Sequence, residues 1–178
     1  MEFKVFKLLS AAVLFLIIVS FGTATEKQES QNVEPLPSAY TFSVSKSDLP
    51  CLRMYEAIEK YSKMYNIPKK YAYGIACAET GYRGPFHWDY KQNQTSCVGA
   101  LGPMQIMLPT AEMMWPNKDI SRSFLKEDIE FNVHTSMKLL KHLHDRYNDW
   151  KTVFGCYNTG RPLINDYAIG VYNHQPIF

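Results

Sequence analysis

The sequence predicts a mainly α-helical fold built as a single domain. Apolar residues recur every three or four positions in several segments, which is the period of an amphipathic helix. Glycine and proline separate these segments, and no βαβ alternation, internal repeat or heptad pattern accompanies them. The chain has 178 residues, of which 46% are apolar and 20% charged. These values suit one globular domain and exclude a chain that is disordered throughout.

Two helices open the domain. Asp48 before Pro50 is typical of a helix start, and Asn66-Ile-Pro68 marks where that helix ends. Its apolar stripe consists of Leu52, Tyr55, Ile58, Tyr61 and Tyr65. A second helix is predicted over residues 69–80, because Gly81 stands where a C-terminal cap would.

A loop rich in glycine, proline and aromatic residues follows, at 84–102, and leads to short helical segments predicted at 105–108 and 110–115. The longest helix is predicted to start near Asp128 and continue to Tyr147. Its stripe consists of Ile129, Val133, Met137, Leu140, Leu143 (or His144) and Tyr147.

Two further helices complete the domain. Asp149 is a suitable cap for a helix that runs through Cys156. Gly160 and Pro162 break the pattern, and a last helix is predicted over 163–172.

The N-terminus has the pattern of a secretory signal peptide. Lys4 and Lys7 precede an apolar run at 8–21, which is shorter than the roughly 20 residues that a spanning helix needs. Small residues follow, so cleavage is predicted after Ala24, with an uncleaved membrane anchor as the alternative. The chain is thus expected to be exported to the periplasm or cell envelope.

Three regions result from this division. Residues 1–24 form the signal peptide, residues 25–50 form a flexible polar tether, and residues 51–178 form the domain. The formal net charge of +2 gives no electrostatic footprint for nucleic acid.

All four cysteines fall in the domain: Cys51, Cys77, Cys97 and Cys156. An even number in a small exported domain predicts disulfides, with three possible connectivities, and buried or free thiols are the alternative. A zinc site is not expected, because His142 and His144 point to different faces of their helix and His134 lies two turns away.

Glu79 is the candidate acid. It ends an apolar helix in the segment Ile75-Ala-Cys-Ala-Glu-Thr. Apolar neighbours and the negative end of the helix dipole both disfavour an ionised carboxylate, and both raise its pKa. A carboxyl that is protonated near neutral pH suits a general acid. The alternative is a solvated Glu at a helix end.

Two other segments carry groups suited to a ligand. In the segment 99–111, glycines allow a close approach of the backbone, Gln105 offers donors and an acceptor, and Met104 offers apolar contact. In the segment 154–161, Tyr157 and Asn158 precede a glycine turn. An ordinary loop and a buried tyrosine are the alternatives.

Taken together, these segments resemble the motifs of the soluble lytic transglycosylase family. The similar segments are Ala-Glu79-Thr, the GALGPMQIM segment, the helix from Phe131 to Leu140, Cys156-Tyr-Asn-Thr-Gly160, and Asn165-Asp-Tyr167-Ala. They occur in the family's order and cover about residues 52–172. Ser136 stands where the family has glycine, and the 84–97 loop is longer than usual.

The resemblance implies a lysozyme-like, mainly α domain that cleaves peptidoglycan glycan strands, with no cofactor and no metal. By position, Glu79 is the sole catalytic acid and base. The other residues carried over orient that carboxylate or contact substrate: Thr80, Met104, Gln105, Tyr157, Asn158 and Tyr167. The family's products end in 1,6-anhydromuramic acid. A conjugation or secretion apparatus is a candidate partner for such an enzyme.

Two other functions compete with this one. A hydrolytic lysozyme needs a second acid, for which Asp89 is the candidate, and a catalytically inactive wall-binding module needs none. The aromatic residues Phe86, His87, Trp88 and Tyr90 either extend a sugar groove or cover the core. Cys97 suggests a disulfide that fixes their loop.

Overall fold

A computed structural model of the chain describes residues 49–178; the predicted signal peptide and all of the tether before Leu49 lie outside these residues. Seven helices occur in the described part of the chain: α1 (Pro50–Met64), α2 (Lys69–Thr80), α3 (Leu108–Met114), α4 (Arg122–Glu127), α5 (Ile129–Tyr147), α6 (Trp150–Thr159) and α7 (Asp166–Asn173). Extended backbone pairs there only in isolated bridges, Thr95 with Leu101 and Leu101 with Ile106. The predicted mainly α fold is confirmed.

The first two helices begin and end close to where the sequence places them. Leu49 takes the N-cap position of α1 without a side-chain cap bond, and the predicted cap, Asp48, lies outside the described residues. Helix α2 spans the predicted residues and ends at Gly81, whose φ of 71° is left-handed. Glycine adopts this conformation at little cost, so Gly81 stops the helix directly after Thr80.

Four elements differ from the prediction. Helix α6 continues three residues beyond the predicted Cys156 and ends at Thr159, directly before Gly160. Gln105 has a left-handed φ of 49°, so the backbone at 105–107 is not helical and only α3 follows it. Helix α4 was not predicted; the Ser121 side chain caps it by accepting a bond from Phe124 N. Helix α7 begins three residues later than predicted, because Asn165 caps it.

Helix α5 is the central element, and it packs against α1, α3, α4 and α6. Asp128 caps it by accepting a 2.8 Å bond from Phe131 N. Almost every residue from Ile129 to Leu140 is buried, including the polar residues Asn132 and Ser136. Helix α7 packs against α2 and α6, so the C-terminal end of α2 lies next to the last helix.

The four cysteines are free thiols, so the predicted disulfides, including one at Cys97, are not found. Cys51 is buried in α1, whereas Cys97 is exposed in the long loop. Burial raises the pKa of the Cys77 and Cys156 thiols. These cysteines fit the alternative of buried or free thiols.

Within residues 49–178, no helix is both long and apolar enough to cross a lipid bilayer.

The contact between α6 and the segment after it depends on Gly155. A Cβ at this position would lie 1.5 Å from Leu163 O. We expect Gly155→Ala to lower the free energy of unfolding by about 3 kcal/mol, since backbone cannot move aside cheaply. A Cβ at Gly170 in α7 would meet no atom within 4 Å, so Gly170→Ala should add about 0.5–1 kcal/mol. Chemical denaturation of both variants measures this difference, and equal effects would contradict it.

Candidate active site

Glu79 lies in the last turn of α2 and is partly buried. Burial raises the pKa of its carboxyl from 4.5 to about 7, and a hydrogen bond from Tyr167 opposes part of that rise. Its position at the C-terminal end of the helix acts in the same direction as burial. A carboxyl with a pKa in this range is available in its protonated form near neutral pH, as a general acid requires.

Tyr167 donates a 2.6 Å hydrogen bond from its hydroxyl to Glu79 Oε1. Burial and the nearby Glu79 carboxylate raise the pKa of Tyr167 well above its usual value, so the phenol keeps its proton. The bond leaves Oε2 of Glu79 as the oxygen not used by Tyr167. Helix α7 thus supports the carboxyl that α2 carries.

The Thr80 hydroxyl faces the loop that precedes α3. Its Oγ1 lies 2.8 Å from Pro103 O, 2.9 Å from Tyr90 Oη and 3.2 Å from Ala76 O. The single Thr80 proton is best placed for Pro103 O, in which case Tyr90 donates to Thr80. Thr80 therefore ties the end of α2 to the turn that holds Gln105, and its contribution to Glu79 is indirect.

The Met104 peptide is held on both sides. Its N–H donates to Asn132 Oδ1 at 2.9 Å, and its carbonyl accepts from Tyr157 Oη at 2.7 Å. The Met104 side chain is fully buried, so it supports the turn from the core and does not line a groove. Asn132 also donates to Leu101 O and Leu125 O, at 2.9 and 2.8 Å.

Asn132 is a site residue that its sequence context does not single out. It is fully buried, and its amide makes one bond as acceptor and two as donor. One feature of the sequence points to it: Asn132 is a polar residue within an apolar helical segment, and that segment resembles a motif of the family. Buried amides with satisfied partners fix local geometry, because leaving any of the groups unpaired is costly.

Tyr157 lies at the junction of α6, α5 and the turn. Because its proton goes to Met104 O, the Ser136 hydroxyl, 3.0 Å away, donates to Tyr157 Oη. Burial and the Glu79 charge raise the pKa of Tyr157 well above its usual value. Ser136, which departs from the family's glycine, therefore adds a hydrogen bond to the same network.

Gln105 projects from a strained turn. Its Nε2 donates to Gly102 O at 2.8 Å, so part of its amide stabilises the turn itself. Gly102 has a φ of 73°, and a Cβ there would lie 2.6 Å from Asn132 Nδ2. Glycine is thus required at 102 for both its conformation and its close contact.

Asn158 and Asn165 join the end of α6 to the start of α7. Asn165 Nδ2 donates to Asn158 Oδ1 at 3.0 Å, while Asn165 Oδ1 accepts from Ala168 N at 2.9 Å. Asn158 therefore helps to place the helix that carries Tyr167. The bond from Asn165 occupies Asn158 Oδ1 and leaves the Asn158 Nδ2 group available to a ligand.

The aromatic residues of the 84–97 loop separate into two groups. Tyr90 is buried and bonded to Thr80, while Phe86 and Trp88 are exposed. Asp89, the candidate second acid, is 87% exposed in its side chain and lies 3.4 Å from His87 Nε2. The Asp89 carboxylate thus lies beside the His87 ring and is largely surrounded by solvent.

Among the described residues, no three His, Cys, Asp or Glu side chains converge as metal ligands. His134 is buried and stacks on Tyr61, with ring centroids 4.1 Å apart. Burial lowers its pKa to about 4. His134 is therefore a neutral core residue.

The family model described as "Transglycosylase SLT domain" matches residues 56–175. The chain belongs to this family. The match contains α2, the Met104 turn, α5, α6 and α7, and hence all the site residues described above. No curated protein sequence matches the chain significantly.

Solved structures of lytic transglycosylases are similar to this SLT domain. A complex of the 70-kDa soluble lytic transglycosylase with bulgecin A shares 23% identity and a TM-score of 0.50, covering 66% of this chain and 18% of that chain. The 70-kDa soluble lytic transglycosylase of Escherichia coli shares 24% identity, with a TM-score of 0.49 and coverages of 66% and 18%. An inactive mutant of lytic transglycosylase Slt from Pseudomonas aeruginosa shares 20% identity, with a TM-score of 0.47 and coverages of 59% and 16%. This chain thus spans less than a fifth of each of those proteins. The similarity to the bulgecin complex supports the assignment of the fold of this domain.

Removing the Tyr167 hydroxyl should raise the Glu79 pKa further. The hydroxyl stabilises the ionised carboxylate, so Tyr167→Phe should shift the pKa upward from about 7 by about 1 pH unit. Titration of the Glu79 carboxyl by NMR measures the shift. Tyr172→Phe, on the same helix, is the control and should leave the titration unchanged. A lower Glu79 pKa in Tyr167→Phe would contradict this assignment.

Proposed function

We propose that this chain is a peptidoglycan lytic transglycosylase in which Glu79 is the sole acid and base. The observation that carries the proposal is the partly buried Glu79 carboxyl, whose pKa of about 7 lets it both give and take a proton near neutral pH. The family match and the lytic transglycosylase folds support the substrate class.

In the first step, protonated Glu79 gives its proton to the oxygen that links N-acetylmuramic acid to N-acetylglucosamine. The bond from muramic C1 to that oxygen breaks, and the N-acetylglucosamine chain leaves with a free 4-hydroxyl. The neighbouring N-acetyl group of the muramic residue stabilises the positive charge that develops at C1. Tyr167 then stabilises the Glu79 carboxylate that remains.

In the second step, the muramic C6 hydroxyl attacks C1, and Glu79 removes the hydroxyl proton. The new C6–O–C1 bond closes a 1,6-anhydro ring, and Glu79 regains its starting proton. No water is consumed. The attacking hydroxyl already belongs to the substrate, so its placement replaces the second carboxylate that a hydrolase usually needs.

The turn around Met104 supplies the rigid wall of this proposed cleft. Gln105 and Asn158 are the polar side chains with capacity for sugar hydroxyl or acetamido groups. Thr80, Met104 and Tyr157 act in this scheme by fixing the backbone and the helix ends around Glu79. The chain would act outside the cytoplasm, where the cell wall lies. The signal peptide, predicted to be cleaved after Ala24, would direct its export to that compartment.

Analysis of digested peptidoglycan tests the reaction. We expect wild-type digests to contain muropeptides that end in 1,6-anhydromuramic acid, and we expect Glu79→Gln to abolish them while its thermal unfolding remains cooperative. Mass spectrometry distinguishes these ends from hydrolytic ends, which are heavier by one water. Reducing ends without anhydromuramic acid would favour a lysozyme, and unchanged lysis by Glu79→Gln would overturn the role of Glu79.

The pH dependence follows from the raised Glu79 pKa. The first step needs the protonated carboxyl, so kcat should fall as pH rises through about 7. Each further pH unit above that value should lower kcat about tenfold, because the protonated fraction falls by that factor. Turbidity of a peptidoglycan suspension over pH 5–9 measures the profile. A rate that keeps rising between pH 7 and pH 9 would contradict protonated Glu79 as the acid.

A further inference from the structure

The 84–97 loop is fixed from inside by buried aromatic side chains. Tyr82 donates from its hydroxyl to Cys51 O at 2.7 Å, and Tyr90 bonds Thr80 Oγ1 at 2.9 Å. Their rings pack edge to face with centroids 4.9 Å apart, and His87 packs beside Tyr90 at 5.4 Å. Both ends of the segment 82–90 are therefore held in the core.

Hydrogen bonds within the segment hold the residues between these anchors. Tyr90 N donates to His87 O at 2.9 Å, and His87 N donates to Gly84 O at 3.2 Å. Arg83 N donates to His87 Nδ1 at 3.3 Å. The two residues that flank His87 are thus presented by a backbone with internal bonds.

Those two residues, Phe86 and Trp88, face solvent. Their side chains are 70% and 58% exposed, and their rings meet edge to face with centroids 5.8 Å apart. Among exposed large apolar residues in 49–178, the other aromatic is Phe178, and its ring packs on Tyr73 at 4.8 Å. Two large rings in contact expose more contiguous apolar area than a single exposed residue, and such patches are typical of binding sites.

Hydrogen bonds tie the loop that carries this pair to the candidate active site. Tyr90 is two residues from Trp88 and bonds the residue next to Glu79. Gln94, farther along the loop, donates to Thr80 O at 3.2 Å and accepts from Gly102 N at 2.9 Å. The loop therefore joins both the end of the helix that carries Glu79 and the turn that carries Gln105.

We infer that the Phe86–Trp88 pair is an accessory carbohydrate-binding surface that stacks on sugar rings of the glycan strand, away from the bond that is cut. Pyranose rings in β-1,4-linked strands present flat C–H faces, which pack on aromatic rings while the hydroxyl groups at the edges stay hydrated. Arg83 and Lys91 are exposed on either side of the pair in the sequence, and their positive charges suit the carboxylates of muramic acid and its peptides. The exposed Asp89 carboxylate next to Trp88 opposes part of this attraction. The inference rests on the proposed function, since it extends that same substrate.

Binding is measured without cleavage in a Glu79→Gln background. The probe is purified insoluble peptidoglycan, used both intact and after an amidase has removed its peptides, in a pelleting assay. We expect Phe86→Ala with Trp88→Ala to raise Kd about tenfold on both forms, as two lost stacking contacts would. The exchange Phe86→Trp with Trp88→Phe keeps both rings and should restore binding.

Met64→Ala is the matched control, because Met64 is also 58% exposed and lies at the end of α1. It should leave Kd unchanged, and cooperative thermal unfolding of all variants shows that they are folded. Unchanged binding by the double alanine variant would overturn the inference. So would a loss confined to peptide-bearing wall, or a change in oligomeric state with unchanged wall binding, which would identify a second copy as the occupant.

Failure of the proposed reaction gives a different result. If wild-type digests lack anhydromuramic ends but the double alanine variant still loses binding, the reaction is wrong and the carbohydrate surface stands. If anhydromuramic ends form and the double variant binds as tightly as the Glu79→Gln parent, the surface assignment is wrong and the reaction stands.

Discussion

A partly buried carboxyl at the end of an apolar helix is the constraint around which this domain is arranged. Burial disfavours the ionised form of Glu79, and the hydrogen bond from Tyr167 stabilises that form in part. The balance sets the pKa near neutrality. Without the burial, Glu79 would be an ordinary ionised side chain; without Tyr167, its carboxylate would be hard to form when the proton is given away.

The rest of the site keeps that carboxyl and the neighbouring turn in fixed positions. Thr80 ties α2 to Pro103, and the next peptide, at Met104, is held by Asn132 and Tyr157. Each bond joins a different helix to the same turn, so we expect a change at any of them to alter the geometry at Glu79. Such a network is rigid because its buried polar groups are all paired. Removing a single partner lowers the stability most, because the other buried group is then left without a hydrogen bond.

Local patterns in the sequence are enough to predict the frame of the site. Helix α2 and its glycine stop, the central helix α5 and the candidate Glu79 all depend on contacts within a few residues. The role of Asn132, by contrast, depends on residues that are distant along the chain, and so does the direction of the Thr80 hydroxyl. Short α4 carries too little periodicity to be recognised.

Transglycosylation by a single acid and base is the central claim, and the source of the oxygen at the new chain ends tests it most directly. Peptidoglycan should be digested in water enriched in heavy oxygen, and the muramic ends analysed by mass spectrometry. We expect no heavy oxygen in those ends, because the C6 hydroxyl of the substrate closes on C1. One heavy oxygen for each bond cut would show that water attacks C1 and would contradict transglycosylation.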